Sequence, residues 1–208
     1  MPDRTLIYVI DDDDAVRDSL EALLLAEGFD VLGFGSAEAF LDTGKSSSAA
    51  CCLLDVRMPG MDGLTLLGEL GDWSMTTPIV VMTGHGDVPM AVKAMKLGAV
   101  DFIEKPFDAH VMLTAVRTAL RSSRAKVVKS AIDPDLASHV ERLTPRERDV
   151  LEHLVAGGSN KEIGLKLGIS PRTVEIHRAR LMEKMAADNL AQLIRLALDA
   201  GIEPANKS

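Results

Sequence analysis

Residues 6–14 read LIYVIDDDD, an apolar run that ends abruptly in four adjacent carboxylates. The apolar part is rich in the residue types that favour a buried β-strand. From Val16 onward the hydrophobic spacing becomes helical, and Gly28 stands where a glycine commonly ends a helix. The stretch therefore predicts a strand, an acidic turn and a helix in immediate succession.

The same order recurs through the first 121 residues of the chain. Further strand-like runs lie at 31–34, 50–54, 78–82 and 100–103, and a helical pattern follows each of them. Five strands that alternate with five helices are typical of an α/β fold, in which helices cover both faces of a doubly wound parallel sheet. About 120 residues suffice for one such domain and little else.

The pattern changes after residue 121. Residues 122–141 are polar and basic, which predicts a linker. Four helical segments follow, starting from a cap at Thr144, and we assign them to a second, all-α domain over 142–208. The second and third of these helices are joined through Gly168-Ile169-Ser170, a helix-turn-helix signature. The predicted domains are thus 1–121 and 142–208, separated by the linker.

Composition excludes several classes of protein. Hydrophobic residues make up 47% and charged residues 26%, which is typical of a folded chain and not of a disordered one. No apolar run approaches the ~20 residues of a membrane span, and no signal peptide is visible. The two cysteines, adjacent at Cys51-Cys52, cannot form a disulfide framework. We therefore expect a cytoplasmic protein that does not enter a membrane.

The net charge of −8 is unevenly distributed. Residues 1–120 carry 8 Lys and Arg against 19 Asp and Glu, whereas residues 139–208 carry 11 against 10. The acidic half should avoid polyanions, while the near-neutral half can contact them if its basic residues share one face. The two halves are therefore expected to have different partners.

Ligands of a doubly wound sheet bind beyond the carboxyl ends of its strands, so the residues there should carry the chemistry. They are Asp11 and Asp12 after the first strand, Asp55 after the third, Thr83 after the fourth and Lys105 after the fifth. Three carboxylates in one crevice favour Mg²⁺, which takes oxygen ligands. A carboxylate beside Mg²⁺ and a lysine can form an aspartyl-phosphate, because both cations neutralise phosphoryl oxygens. The threonine hydroxyl can donate a hydrogen bond to the same group.

This constellation resembles the receiver domain of two-component response regulators. The resemblance rests on Asp11-Asp12, the loop DVRMPGMDG from Asp55, Thr83-Gly and Lys105-Pro-Phe, and it covers roughly residues 4–121. It implies a flavodoxin-like order of the five strands and a role for Asp55 as the phosphoacceptor.

Further roles are implied only by that resemblance. Magnesium would be held by a set of four residues: Asp11, Asp12, Asp55 and the backbone carbonyl of Arg57. Lys105 would carry a cis bond to Pro106, and Thr83 and Phe102 would occupy the two switch positions. The family more often has tyrosine in place of Phe102, so a ring switch here would lack a hydroxyl hydrogen bond.

The third helix of the second half combines an apolar stripe with a polar face. Val174, Leu181 and Met185 have helical spacing and should face the core of the bundle. The opposite side would present a mixture of residues that can reach base edges in a major groove. These residues are Arg172, Thr173, Glu175, Ile176 and Ala179.

The sequence of this half resembles the LuxR-type helix-turn-helix of NarL/FixJ response regulators. The motifs are LTPRERDVL from Leu143, NKEIGLKLGIS from Asn160 and RTVEIH from Arg172, and the resemblance covers residues 142–200. In that family the third helix enters the major groove, which implies that Glu175, Ile176 and Ala179 face the bases. Candidates for contacts to the DNA backbone are Lys161, Thr173, Arg178 and Lys184.

Together the two resemblances imply a phosphorylation-activated DNA-binding regulator and not an enzyme with turnover on an external substrate. The implied partners are a sensor histidine kinase, double-stranded promoter DNA, RNA polymerase, and a second copy of the chain after phosphorylation. The resemblance extends to nitrogen-fixation regulators of the NarL/FixJ family, so nitrogen-fixation genes are expected among the targets.

Two other functions remain as alternatives from the sequence. Asp11-Asp12-Asp13 contains a D-x-D that resembles the nucleophile motif of haloacid-dehalogenase-like phosphatases, which would make Asp11 and Asp13 catalytic. That fold normally needs additional elements for which the first half is too short, and it leaves the helical half unexplained. A phosphorylation-independent interaction module tethered to DNA would require a degenerate acidic pocket, whereas this one is complete.

Overall fold

Strands and helices alternate along the first part of the computed structural model, which describes residues 5–43, 49–71, 73, 77–84, 88–126 and 134–205. The strands are β1 (Leu6–Ile10), β2 (Asp30–Phe34), β3 (Ala49–Asp55), β4 (Ile79–Thr83) and β5 (Asp101–Glu104). The helices between and after them are α1 (Asp14–Ala26), α2 (Ala37–Thr43), α3 (Gly63–Leu70), α4 (Val88–Lys96) and α5 (Ala109–Lys126). Each predicted strand and helix is present; the strand ends are shifted by at most one residue, and α5 extends past the predicted boundary at 121.

The sheet has the predicted topology. Its strands lie in the order β2-β1-β3-β4-β5, and every neighbouring pair is parallel. This is the flavodoxin-like order, in which the direction of winding reverses between β1 and β3. The carboxyl ends of those two strands therefore border the crevice where a ligand would bind.

One face of the sheet packs on α1 and α5. A buried cluster joins Ile7, Leu53 and Val80 of the sheet to Leu24 of α1 and Val116 of α5. Because side chains alternate along a strand, these strands are apolar on both faces and need helices on each side. This explains why the sequence shows continuous apolar runs and not an alternating pattern.

Four aromatic rings cluster on the opposite face. The ring of Tyr8 lies 5.5 Å from that of Phe34 and 5.6 Å from that of Phe40, both edge to face. Trp73 stacks on Tyr8 with ring centroids 6.3 Å apart. We call these four residues the aromatic cluster; edge-to-face and offset-stacked rings add to the stabilisation that burial alone provides.

The second part of the chain is helical throughout. Its helices are α6 (Pro134–Glu141), α7 (Pro145–Val155), α8 (Asn160–Leu167), α9 (Pro171–Lys184) and α10 (Leu190–Asp199). The last four confirm the predicted four-helix domain, and α6 is an addition that lies inside the predicted linker. Pro134 begins this helix, and the first helical position is the one where proline is best tolerated.

Side-chain caps explain where the helices of the second part begin. Thr144 is the cap of α7, as predicted, and it forms a reciprocal capping box with Glu147. Ser159 and Glu162 form a second box at α8, so Asn160 is the first residue of that helix. Ser170 caps α9 by accepting from the backbone N–H of Thr173.

The described residues divide into two compact units, one built around the sheet and one containing α6 to α10. Residues 127–133 of the predicted linker lie outside the described residues, and α5 continues to Lys126. The domain boundaries at 121 and 142 therefore stay predictions. Within the described part of the chain, no helix combines the length and apolar character needed to cross a membrane.

Candidate functional site

The carboxyl ends of the strands bring the predicted acidic residues together. Asp55 and Thr83 are the last residues of β3 and β4, and Asp11 directly follows β1. Asp11 and Thr83 are fully buried and Asp55 is 5% exposed. Parallel strands end at one edge of a sheet, so residues far apart in sequence meet here.

Lys105 joins two of these carboxylates. Its Nζ lies 2.6 Å from Oδ2 of Asp11 and 3.2 Å from Oδ1 of Asp55. Burial alone would lower the pKa of this lysine, but the hydrogen bond and charge of Asp11, together with Asp55, outweigh burial and raise it. The lysine is therefore firmly cationic, and its peptide bond to Pro106 is cis, as the resemblance implied.

The surroundings of the Asp55 carboxyl group act on its ionisation in opposite directions. Burial raises the pKa of its carboxyl group and the neighbouring Asp11 adds to the rise, while Lys105 opposes both. Its Oδ1 is buried and accepts no well-aligned hydrogen bond from any described residue. A buried oxygen in this condition can accept a further donor or a cation.

Three carboxylates have the arrangement that a divalent cation requires. One oxygen from each of Asp11, Asp12 and Asp55 can be chosen so that all three lie within 4.8 Å of one another. Carboxylate oxygens are the ligands that hard divalent cations prefer. Together with the unsatisfied Asp55 oxygen, this arrangement fits a metal ion. Arg57, whose carbonyl was the fourth predicted ligand, lies two residues after Asp55 with its side chain exposed.

The loop after Asp55 is closely packed against the strand end. A Cβ atom on Gly63 would lie 2.0 Å from the carbonyl oxygen of Asp55, so only glycine fits. The Gly63 N–H donates to the carbonyl of Val56 at 2.9 Å. From α2, Glu38 accepts a hydrogen bond from the backbone of Met61 at 3.0 Å. Sequence reasoning missed the role of Glu38, which lies 23 residues before its partner.

The two predicted switch residues lie on one face of the sheet. Val81 of β4 is paired with Phe102 of β5, and Thr83 is two residues further along β4. Side chains two apart share a face, so the threonine and the phenylalanine are on the same side. Phe102 is only partly buried, which leaves its ring room to move.

A cleft of about 500 Å³ opens beside Lys105. It is formed by α1 and by the segment after β5. Its lining is mostly apolar and comprises Ala15, Val16, Ser19, Leu20, Lys105, Pro106 and Phe107. A partner that occupies this cleft would lie next to the acidic residues.

Asp13 does not take part in the acidic cluster. Its carboxylate accepts hydrogen bonds from the backbone N–H groups of Ala15 at 2.9 Å and Val16 at 3.4 Å, so it caps α1. The phosphatase hypothesis requires Asp11 and Asp13 to act on the same substrate, with Asp13 as the acid. The structure does not favour that phosphatase reading.

The helix-turn-helix surface follows the predicted division into faces. Val174 and Leu181 are fully buried and Met185 is 1% exposed. Four of the five residues predicted for the opposite side are exposed, and Thr173 is partly buried. The exposed four are Arg172, Glu175, Ile176 and Ala179.

Two candidate backbone contacts are engaged inside the helical unit. Nζ of Lys184 lies 2.7 Å from Oε2 of Glu147 and 3.1 Å from the carbonyl oxygen of Arg142. Arg178 donates to the side chain of Asn160 at 2.7 Å, and burial lowers the pKa of its guanidinium. Each would have to leave these partners to contact a phosphate, whereas Lys161 is exposed.

Comparison with known families identifies both units. The family described as "Response regulator receiver domain" matches residues 7–117, and that described as "Bacterial regulatory proteins, luxR family" matches residues 141–197. The chain belongs to the response regulators of the NarL/FixJ family, in which a receiver domain is joined to a LuxR-type DNA-binding domain.

Particular relatives match nearly the whole chain. It is 50% identical to the transcriptional regulatory protein FixJ of Bradyrhizobium diazoefficiens, over 94% of this chain and 96% of the relative. It is also 50% identical to FixJ of Azorhizobium caulinodans, over 99% and 98% of the two chains. The crystal structure of full-length FixJ from B. japonicum is similar with a TM-score of 0.55, covering 95% of this chain and 97% of that one.

Proposed function

We propose that a sensor histidine kinase transfers a phosphoryl group to Asp55 and that the phosphorylated protein binds promoter DNA and activates transcription. One observation carries the proposal: the buried Asp55 carboxylate has an unsatisfied oxygen and lies within reach of both Lys105 and two further carboxylates. Phosphoryl transfer to a carboxylate requires a nucleophile beside groups that neutralise the phosphoryl oxygens; Lys105 is one such group, and the carboxylates can hold a cation that is another.

The transfer step uses few protein groups. A carboxylate oxygen of Asp55 attacks phosphorus, the P–N bond to the kinase histidine breaks, and its electron pair returns to the imidazole nitrogen. The product is an acyl phosphate. Lys105 lies 3.2 Å from Asp55 and neutralises charge on the phosphoryl oxygens. Asp11, Asp12, Asp55 and the carbonyl of Arg57 would hold Mg²⁺, which when bound supplies a second positive charge at the same oxygens.

Readout of the phosphoryl group is assigned to the shared face of β4 and β5. The hydroxyl of Thr83 donates to a phosphoryl oxygen, and the Phe102 ring moves inward behind it. The support is that Thr83 ends the strand next to Asp55 and that the ring of Phe102 is partly exposed on the same face.

The cleft beside Lys105 is the proposed docking place of the kinase. A phosphohistidine must bring its phosphorus to Asp55, so the surface around the pocket has to accept a protein. The apolar lining from α1 and Phe107 provides such a surface next to the reacting group. The fully buried centre of a protein interface is more apolar than its rim, and aromatic residues such as Phe107 are enriched there.

DNA binding is assigned to α9 with help from α8. Glu175, Ile176 and Ala179 face the bases, Arg172 lies on the same face, and Thr173 and Lys161 contact the backbone. Arg178 and Lys184 contact the backbone only after leaving their internal partners. A randomised-duplex selection tests this: Ile176→Ala should change the preferred bases, and Lys161→Gln should weaken binding uniformly and lower the salt dependence. Unchanged selection by the Ile176 variant would remove that residue from the base-reading set.

The remaining partners follow from the family. A second copy of this chain pairs with the phosphorylated protein, and RNA polymerase is recruited at the promoter. Because its relatives FixJ are transcriptional regulators of rhizobial bacteria, nitrogen-fixation genes are the proposed targets. A protein that meets both a kinase and DNA acts in the cytoplasm.

Incubation with a small phosphodonor and Mg²⁺ tests the function against its alternatives. We expect one acid-stable, base-labile phosphoryl group per chain and no continued turnover, since the protein is proposed not to be an enzyme on external substrates. Continuous release of many phosphates per chain would establish a phosphatase. Absence of any incorporation would leave a phosphorylation-independent DNA-tethered module.

A further inference from the structure

Arg17 is a further cation beside the acidic residues, and neither motif includes it. It lies on α1, and its side chain is 20% exposed. Its Nη1 donates to the carbonyl oxygen of Asp11 at 2.6 Å, and its Nη2 binds the carboxylate of Asp14. The side chain passes over two glycines of the neighbouring segment, Gly33 and Gly35, where a Cβ would stand 3.7 and 3.6 Å from it.

The carbonyl that Arg17 holds belongs to the peptide group between Asp11 and Asp12. On the other side of the same residue, the N–H of Asp11 donates to the carbonyl of Phe34 at 3.1 Å. The N–H of Asp13 donates to Oδ1 of Asp11 at 3.1 Å. The backbone on both sides of Asp11 is therefore fixed, and the direction in which Asp12 leaves the chain is fixed with it.

Asp12 has no other support in the described part of the chain. Its side chain is exposed, and no described residue donates a hydrogen bond to its carboxylate. One of its oxygens nevertheless lies within 4.8 Å of oxygens of Asp11 and Asp55. The backbone therefore determines which rotamers of Asp12 bring its carboxylate to the cluster, because no side-chain contact selects among them.

The two cations beside the cluster act on different atoms. Lys105 binds the carboxylates of Asp11 and Asp55, which are themselves proposed ligands. Arg17 binds a backbone carbonyl and Asp14, and it leaves the three ligand carboxylates untouched. A planar guanidinium with several donors can bridge a carbonyl and a carboxylate in this way, whereas an ammonium is a single point charge.

We propose that Arg17 is a positioning residue of the metal site: its guanidinium fixes the Asp11–Asp12 peptide so that the Asp12 carboxylate is held ready for Mg²⁺. The inference rests on the proposed function, since it assumes that the acidic cluster binds this ion. Arg17 lies outside both motifs. Its proposed role is to orient Asp12 without neutralising the charge of the Asp12 carboxylate.

The test compares Arg17→Lys and Arg17→Gln with matched changes at Arg117, in the full chain. Arg117 is another arginine of the same unit, paired with Glu27 away from the pocket. Magnesium affinity is measured by calorimetry. Groups that hold a metal ligand in place typically change affinity about 10- to 100-fold, so we expect both Arg17 variants to lose at least about tenfold. Both Arg117 variants should stay within about twofold, since they leave the ligands untouched.

A purely electrostatic role gives a different pattern. Removing a nearby positive charge would strengthen cation binding, so Arg17→Gln would bind Mg²⁺ more tightly and Arg17→Lys would be unchanged. Either that pattern or affinities equal to those of the Arg117 variants would overturn the proposal. Arg17→Lys keeps the charge and much of the side chain, so it provides the comparison even if Arg17→Gln does not fold.

Phosphorylation supplies a second readout. With a small phosphodonor, the Arg17 variants should need about tenfold more Mg²⁺ for half-maximal labelling and reach the plateau rate of the unaltered protein. A lower plateau rate of labelling, with an unchanged Mg²⁺ concentration for half-maximal labelling, would contradict the positioning role of Arg17. If the unaltered protein and the Arg117 variants bind no Mg²⁺, the proposed function fails; if they bind it and the Arg17 variants bind equally well, only this inference fails.

Discussion

At the scale of single residues, Asp55 is a position where a substitution can remove the reactive carboxylate and keep the shape of the side chain. Asp55→Asn keeps the side-chain volume and removes the nucleophile, so labelling by a small phosphodonor should disappear. Asp13→Asn is the matched control, because asparagine also caps helices well and Asp13 lies outside the cluster. Labelling of the Asp55 variant at the level of the control would move the acceptor to Asp11 or Asp12.

The same substitution should raise the stability of the metal-free protein. Asp55 is buried beside Asp11 and Asp12, and three carboxylates with oxygens within 4.8 Å repel one another. A gain of about 1 kcal/mol would raise the melting temperature of the sheet unit by roughly 3–5 °C. A lower melting temperature in EDTA would show that the Lys105–Asp55 pair outweighs the repulsion.

Thr83 and Lys105 should separate signalling from chemistry. Thr83→Ala removes a hydroxyl that is assigned only to the product, so labelling should persist while the response of the DNA-binding domain is lost. Lys105→Ala removes a cation that lies 3.2 Å from the nucleophile, and the labelling rate should fall about a hundredfold. Labelling kinetics and DNA binding are measured on both variants. Equal and complete loss of labelling in the two would refute this division.

At the scale of elements, two glycines of α3 should respond to alanine with opposite sign. Gly63 begins the helix against the carbonyl of Asp55, so Gly63→Ala must push the strand end away and should lower stability and labelling together. Gly68 lies inside the helix, and a Cβ there would meet a side-chain carbon of Leu97 at 3.8 Å. Gly68→Ala should therefore raise stability by about 0.5–1 kcal/mol. Denaturant unfolding of both variants measures the sign of each change in the free energy of unfolding.

A partly buried ion pair between Glu147 and Lys184 connects the start of α7 to the end of α9. Burial alone would raise the pKa of Glu147, but hydrogen bonds from Lys184 and from Thr144 outweigh it and hold the pKa at about 2. Folding therefore favours the ionised form, whose full contribution is present above pH 4.5 and is lost as the pH falls towards 2.

Removing one partner of this pair should be costly. Lys184→Met leaves a buried carboxylate unpaired and should cost the helical unit about 3 kcal/mol at neutral pH. Lys166→Met, at an exposed lysine of α8, is the control and should change little. Thermal melts at pH 7 and pH 3 should show the difference between the two variants shrinking in acid. A constant difference would mean that Glu147 is not the group that titrates.

These elements also show what sequence can and cannot predict. The runs before Asp11 and Asp55 predicted strand ends correctly, because buried parallel strands are continuously apolar and ligands collect where they stop. Periodicity likewise placed Val174 and Leu181 in the core of the helical unit. It could not reveal that Lys184 turns inward to Glu147, 37 residues earlier, because helical spacing defines faces and not partners. Sequence analysis missed the role of Arg17 for the same reason, because helical spacing does not show that its side chain reaches the carbonyl of Asp11.

At the scale of the whole molecule, phosphorylation should pair two chains. Residues 139–208 have a near-neutral charge balance, so one copy offers few counterions to release and should bind DNA weakly at moderate salt. Two linked copies make the second binding event intramolecular, at up to about millimolar effective concentration. Gel filtration should show a phosphodonor converting monomer to dimer in the full chain and not in Asp55→Asn. Conversion of that variant as well would separate pairing from phosphorylation.

The acidic half should also restrain the DNA-binding half before phosphorylation. Residues 1–120 carry 19 acidic against 8 basic residues, and their charge opposes approach to DNA phosphates. A fragment that starts at Ser122 should therefore bind promoter DNA more tightly than the unphosphorylated full chain, with the gap narrowing at high salt. If the fragment binds no better, pairing alone accounts for activation.

The aromatic cluster has a consequence for spectroscopy. The protein has one tryptophan and one tyrosine, and they stack in the sheet unit with ring centroids 6.3 Å apart. All five phenylalanines also precede residue 108, so the sequence of the helical unit contains no phenylalanine, tyrosine or tryptophan. Ultraviolet fluorescence and near-ultraviolet dichroism of the intact chain therefore arise from the receiver alone. Far-ultraviolet dichroism records both units, so one sample heated once yields separate unfolding curves for the two, without labels or truncation.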